Sequence, residues 1–176
     1  MLTTKWTISI NENKFTNGLA FCQNLIGQYN TEYLKWIRIS DGRSDVPYKL
    51  YGRCWNYDNN RYGISCQLPG PYPFSFESRR QPQYQHHGSD WQQAPEGLQT
   101  GREHVYKDAS GRVRRWMCFN ETQTVGNWDE ALVWVFAHET FHYLRYTKQI
   151  EGRNVEWQAD MFGDKLLNDY KNRISQ

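Results

Sequence analysis

His138-Glu139-Thr140-Phe141-His142 constrains this chain more than any other stretch. On an α-helix, two histidines four residues apart lie on one face, one turn above the other. Both imidazoles then reach a single metal ion. Glu139 stands beside the first histidine, at the edge of that face. There its carboxylate can hydrogen-bond a water on the metal without ligating the metal. This H-E-x-x-H arrangement suits zinc-assisted hydrolysis, with the glutamate as general base.

The reading requires a helix, and residues 127–145 supply one. Asn127 is a good N-cap, and Glu130 follows three residues later, as in a capping box. Asp129 and Glu130 put negative charge on the positive end of the helix dipole. Residues 132–137 are apolar on every side, which predicts a helix that passes through the core. No Gly or Pro interrupts 129–151, and Gly152 is the expected stop.

A catalytic zinc usually has three protein ligands and one open position. Val155, Ala159, Phe162, Leu166 and Tyr170 recur at helical spacing, predicting a second amphipathic helix. Glu156 and Asp160 lie one turn apart at the border of its apolar face. If the two helices pack antiparallel, Glu156 can face His138 and His142 as the third ligand. Asp160 can then accept the spare N–H of a ligating histidine, or stand in as the ligand itself. The plainer alternative is an ordinary charged helix edge.

The segment Glu-Trp-Gln-Ala-Asp-Met-Phe-Gly-Asp-Lys-Leu-Leu, 156–167, following H-E-x-x-H, resembles the ImmA/IrrE-type metallopeptidases, a gluzincin group. The resemblance covers roughly 127–167. It implies one catalytic Zn2+ held by His138, His142 and Glu156, with Glu139 as general base. It also implies a protein substrate of a regulatory kind, such as a DNA-binding repressor. A weaker resemblance is to SprT-like proteases, which carry H-E-x-x-H after a strand similar to Tyr51-Gly52-Arg53-Cys54. Those place a third histidine beyond the motif, and this chain has none after His142.

At 176 residues the chain is expected to be one domain. A net charge of +2 does not indicate nucleic acid or membrane as a partner. Residues 1–11 hold no apolar signal segment, so a cytoplasmic location is expected. Cys22, Cys54, Cys66 and Cys118 form no C-x-x-C, and buried free thiols are the expectation.

Along the chain, residues 5–10 read as a short strand and 15–29 as a first helix, while 33–39 fit either state. Residues 48–55 and 62–68 flank Asp58-Asn59-Asn60-Arg61 as a hairpin. A loop centred on Asn60 would set Cys54 opposite Cys66, within reach of a disulfide. Residues 69–101 hold five of the six prolines together with His86 and His87, and read as a solvated insertion or a lid. Residues 104–106 and 112–119 predict a second hairpin. Zincin-like folds run an edge strand beside the cleft, and by that analogy alone 113–120 is the candidate for it.

These pieces predict an α+β, zincin-like domain: a first helix, a small and mainly antiparallel sheet, the zinc helix and a closing helix. Tyr143, Tyr146, His104 and His86 are the candidates for stabilising an oxyanion. Two rival functions remain at this stage. One is a SprT-like protease acting on DNA-bound proteins. The other is a non-catalytic module in which zinc only holds the fold.

Overall fold

In a computed structural model, the described residues are 4–41, 50–57, 60–85 and 95–175. His86 and His87, Tyr48, and Asp58 and Asn59 lie outside them. The order of elements is β1 (Lys5–Ile8), α1 (Gly18–Ile26), β2 (Leu34–Ser40), β3 (Tyr51–Tyr57), β4 (Arg61–Gln67), β5 (Phe74–Arg79), β6 (Gln83–Gln85), β7 (Gln99–Lys107), β8 (Val113–Val125), α2 (Trp128–Tyr146) and α3 (Glu156–Ile174). The α+β class holds, with helices and strands segregated as expected. The strands form two sheets, and four of the six pairings among the described residues are antiparallel.

The first sheet runs β1-β2-β4-β3, with β3 at its edge. The ambiguous segment 33–39 is strand β2, held parallel between β1 and β4. Ile37 and Ile39 point inward, and so do Tyr62, Ile64 and Cys66 of β4. Against this inner face lies α2, whose residues 131–144 are all buried. The all-round apolar run therefore does pass through the core. On its other sides α2 meets α1 and α3. Burial of this one helix from three directions is what makes its two histidines fixed points.

Both ends of α2 depart in detail from expectation. Asn127 accepts from the Glu130 N–H at 2.9 Å, as an N-cap should. Glu130 reaches back to the N–H of Gly126 rather than that of Asn127. The helix stops at Tyr146, short of Gly152. Gln149 N–H donates to Leu144 O and Lys148 N–H to Arg145 O, the paired bonds of a Schellman turn. Lys148 takes the left-handed conformation there, with φ 56°. A lysine in place of the usual glycine is why the stop was not legible.

Asp129 ties α2 to α1. Its carboxylate accepts from the backbone N–H groups of Thr16, Asn17 and Gly18, at 2.9–3.2 Å. Those are the unsatisfied donors at the start of α1. Asp129→Ala should therefore leave three donors without a partner in a site only 6 % exposed. A loss of about 3–5 kcal/mol in urea unfolding is expected, against about half of that for Asp129→Asn.

The second sheet corrects two expectations. Strand β8 is not an edge. Asn120 pairs with Arg79 of β5 on one side and Gln99 of β7 on the other, and Met117 likewise with Gln83 of β6 and Glu103 of β7. Strands β5 and β6 thus follow one another along one edge of β8. The proline-rich stretch is not simply a solvated insertion, because β5 and β6 both fall within it. In β5, Phe74, Phe76 and Ser78 alternate inward.

The hairpin of β3 and β4 pairs Tyr57 with Arg61, one residue out from the expected centre. Cys54 consequently faces Ile64, and Cys66 faces Gly52. All four cysteines are free. No helix among the described residues is long and apolar enough to cross a membrane.

Candidate metal centre

Helix α2 delivers His138 and His142 one turn apart, both buried, to the cleft between the first sheet and the start of α3. Their Nε2 atoms stand 3.2 Å apart. Glu156, the first residue of α3, brings Oε2 to 3.5 Å from His138 Nε2 and Oε1 to 3.5 Å from His142 Nε2. A tetrahedral ion with ligands at about 2.0–2.1 Å requires donor atoms about 3.3 Å apart. The two histidines meet that requirement, and each is close to it from one of the two Glu156 oxygens. Two imidazoles and one carboxylate are a donor set suited to zinc.

Each ring is oriented through its other nitrogen. His142 Nδ1 lies 2.6 Å from Asn154 Oδ1. His138 Nδ1 lies 2.9 Å from Asp160 Oδ1 and has no aligned hydrogen-bond partner, so this is a charge contact off the N–H axis. Both contacts leave Nε2 free to face the cleft. Asp160 thus stands where a partner of a ligating histidine belongs.

Arg79, at the end of β5, holds the two acids in place. Asp160 Oδ2 accepts from its backbone N–H and from its Nε, each at 2.8 Å. Its Nη2 donates to Glu156 Oε2 at 3.2 Å. One turn further along α3, Asp164 accepts from Ser78 Oγ at 2.6 Å and from the Trp134 indole at 2.7 Å, and it pairs with Arg80. Arg80 also pairs with Glu121 of β8. Strand β5 therefore clamps the ligand-bearing end of α3 against α2.

The field in this cleft favours a cation. Burial opposes charge on His138, yet the adjoining carboxylates of Asp160, Glu156 and Glu139 outweigh it and hold the ring up at about 9. Glu156 is held down at about 2, chiefly by its hydrogen bond with His138. Burial pushes Asp160 up, but His138 and Arg79 prevail and keep it below the usual range. Burial lowers His142, against its bond to Asn154. A site that raises one imidazole this far stabilises positive charge at its donor atoms.

Glu139 is buried at 5 % exposure, with Oε1 3.9 Å from His138 Nε2. It falls outside the cluster of three donors. Burial raises its carboxyl to about 7, opposed by His138 and by the Cys54 N–H. Its carboxylate lies directly beneath Gly52 of β3. A Cβ built on Gly52 would come within 2.4 Å of Glu139 Oε1. Gly52 is therefore the residue that allows an edge strand to pass over the carboxylate. Gly52→Ala should displace Glu139 while leaving the three donors alone. The variant is expected to bind zinc as the parent does and to lose about a hundredfold or more in any hydrolytic rate.

Together these groups line a cleft of about 340 Å³, walled by residues 50–54 and floored by α2. Tyr146 lines it too, half-exposed and stacked on Tyr62. The other oxyanion candidates lie elsewhere. Tyr143 is buried in the core, and its hydroxyl donates to Asn30 O. Its position one residue past His142 turns it to the opposite side of the helix from the cleft. His104 stacks on Trp116 in the hairpin of β7 and β8, away from the cleft lining. His86 lies outside the described residues.

Sequence reading missed Arg79, Asn154 and Gly52. Strand β5 does alternate, but the surrounding prolines masked it, and with it Arg79. Asn154 sits in an irregular loop, where no periodicity marks it. Compared with known proteins, the chain matches no family model, no curated protein and no solved structure.

Proposed function

We propose that this chain is a zinc-dependent metallopeptidase, with His138, His142 and Glu156 holding the ion and Glu139 acting as general base. The reading is supported above all by one observation. One donor atom from each of three side chains lies within 4.8 Å of the others, and the Glu139 carboxylate is buried beside them without joining them. A site serving only the fold has no use for that extra carboxylate, and more often closes with four ligands.

Zinc held there would supply a Lewis acid for the scissile carbonyl and lower the pKa of a water. Glu139 takes a proton from the attacking water as its oxygen bonds to the carbonyl carbon. It then passes that proton to the amine nitrogen as the C–N bond breaks. Among the described residues, Tyr146 is the remaining side-chain candidate for stabilising the oxyanion. Arg79 keeps Glu156 and Asp160 in register and neutralises part of their charge.

Strand β3 takes over the role first expected of 113–120. Among the described residues it is an edge of its sheet, and residues 50–54 wall the cleft. An extended peptide could add to that edge through main-chain hydrogen bonds, with its scissile bond beside Glu139. A regulatory protein as substrate belongs to this proposal only through the family resemblance.

The test is metal dependence. Purified protein should hold one zinc per chain by elemental analysis and should cleave an unfolded protein such as casein. A chelator should stop cleavage, and added zinc should restore it. Substoichiometric metal that no addition of zinc can correct would count against the reading.

A further inference from the structure

The outward face of the first sheet bears a pattern that the candidate metal centre does not use. Strand pairing and burial put residues 5 and 7 of β1, 36, 38 and 40 of β2, 51, 53, 55 and 57 of β3, and 61, 63, 65 and 67 of β4 on this face. Every charged residue among them is basic: Lys5, Arg38, Arg53 and Arg61, all exposed. Between them stand Trp36, Trp55 and Tyr57. We propose that this face binds single-stranded nucleic acid, stacking bases on the aromatic rings and pairing phosphates with the cations.

The rings are held as platforms. Gly63 has no side chain to lift Trp36 off the sheet, and a Cβ there would fall 2.2 Å from the indole. Trp36 therefore lies flat across β4. Trp55 and Tyr57 are near-parallel, at 11°, with centroids 6.3 Å apart. The Trp55 indole is pinned by its hydrogen bond to Ser65 Oγ. Trp36 and Tyr57 approach to 6.4 Å. The Arg53 guanidinium lies 3.9 Å from the Trp55 ring centroid, and Arg38 lies 5.6 Å from that of Trp36. Flat rings and guanidinium planes on a sheet are the surfaces on which unpaired bases stack.

Charge alone would not single out this face. In the β7–β8 hairpin two of the four exposed arginines are neutralised, Arg114 by Asp108 and Arg115 by Glu103. The face of the first sheet has no acidic residue at an outward position of its strands. The near-balanced net charge arises because the nineteen acids stand at other positions of the chain. A duplex would offer phosphates and base edges but no free base faces, since its bases are stacked on one another and cannot stack on the rings. An acidic peptide offers carboxylates but no planar groups for three aromatic platforms. A single strand offers both chemistries at once. The inference is independent of the chemistry in the cleft, although Arg53 borders both surfaces.

Binding can be read by fluorescence anisotropy of labelled oligo(dT) and oligo(U) about 15 nucleotides long, within the site size of a sheet-based binder. Affinity should fall steeply between about 50 and 200 mM salt. Arg38→Gln and Arg61→Gln should each weaken binding and reduce the log–log salt slope by about 0.7. Trp55→Ala and Tyr57→Ala should weaken it by roughly five- to a hundredfold with the slope unchanged. Trp36 is left intact because it also covers Gly63, and thermal melting checks that each variant folds. Preference for one oligonucleotide would distinguish a deoxythymidine strand from a uridine strand, and either preference supports the proposal. Failure of the folded parent to bind either one would overturn it. So would binding that all four variants retain, or competition by polyglutamate as effective as that by oligonucleotide, which would point to an acidic protein instead.

Discussion

Glu139→Gln is expected to fold, to keep its zinc and to cleave nothing that the parent cleaves. The substitution preserves side-chain length and the packing beneath Gly52, so α2 and the three donor atoms should stay where they are. What it removes is the base. An amide cannot take the proton of the attacking water, and loss of general-base catalysis alone costs about 10²–10⁴-fold in rate. The same carboxylate also positions the water, so the loss should lie at the upper end of that range or beyond. Zinc affinity, read by competition with a chromogenic chelator, should change little, since Glu139 lies outside the donor cluster. The variant should also trap substrate, which gives a way to identify it. This experiment separates the peptidase from a zinc-stabilised binding module. If a cellular phenotype is rescued equally by the parent and by Glu139→Gln, but not by His138→Ala, hydrolysis is not the function and the module is the better account.

The legible part of this protein was the part written in short-range pattern. The H-E-x-x-H helix announced itself through its cap, its acidic first turn and its all-round apolar run, each a local property of 127–145. Glu156 and Asp160 followed because helical spacing fixed their faces, and an antiparallel return was the only short way back to His138. The closing contacts were not legible, because they depend on which strand lands beside α3. Arg79 reaches Asp160 across 81 positions of sequence, from a strand hidden among prolines. Register carried similar uncertainty: a shift of one residue in the β3–β4 loop moved Cys54 away from Cys66. The edge beside the cleft was assigned to β8 because β8 precedes α2. It belongs to β3, because the chain order of strands does not set their order in a sheet. A glycine such as Gly52 shows its purpose only once a carboxylate is found beneath it.

Asp160→Ala should weaken metal binding more than any other change that leaves the three donors and the base untouched. The carboxylate is buried, and it accepts from the Arg79 backbone N–H and from its Nε while lying 2.9 Å from His138 Nδ1. Removing it strands a backbone donor and takes from Arg79 its closest partner. Arg79 is partly exposed and keeps Glu156 at 3.2 Å, so the stability loss should fall below that of a fully buried pair, at about 2–3 kcal/mol in urea unfolding. Zinc affinity should fall about 10- to 100-fold, because His138 loses the carboxylate beside its Nδ1 and Arg79 is left to draw Glu156 away from the histidines. Asp160→Asn distinguishes the two effects. The amide keeps the size, and its oxygen can serve either Arg79 or His138, but not both. If the oxygen faces Arg79, the NH2 group confronts Nδ1 and drives the imidazole proton onto Nε2, the atom needed for the metal. If the oxygen faces His138, the NH2 group confronts a guanidinium. The asparagine variant should therefore lose less stability than the alanine variant, yet show a comparable loss in zinc affinity. Unchanged zinc affinity in both variants would reduce Asp160 to a clamp between β5 and α3, with no part in orienting the metal site.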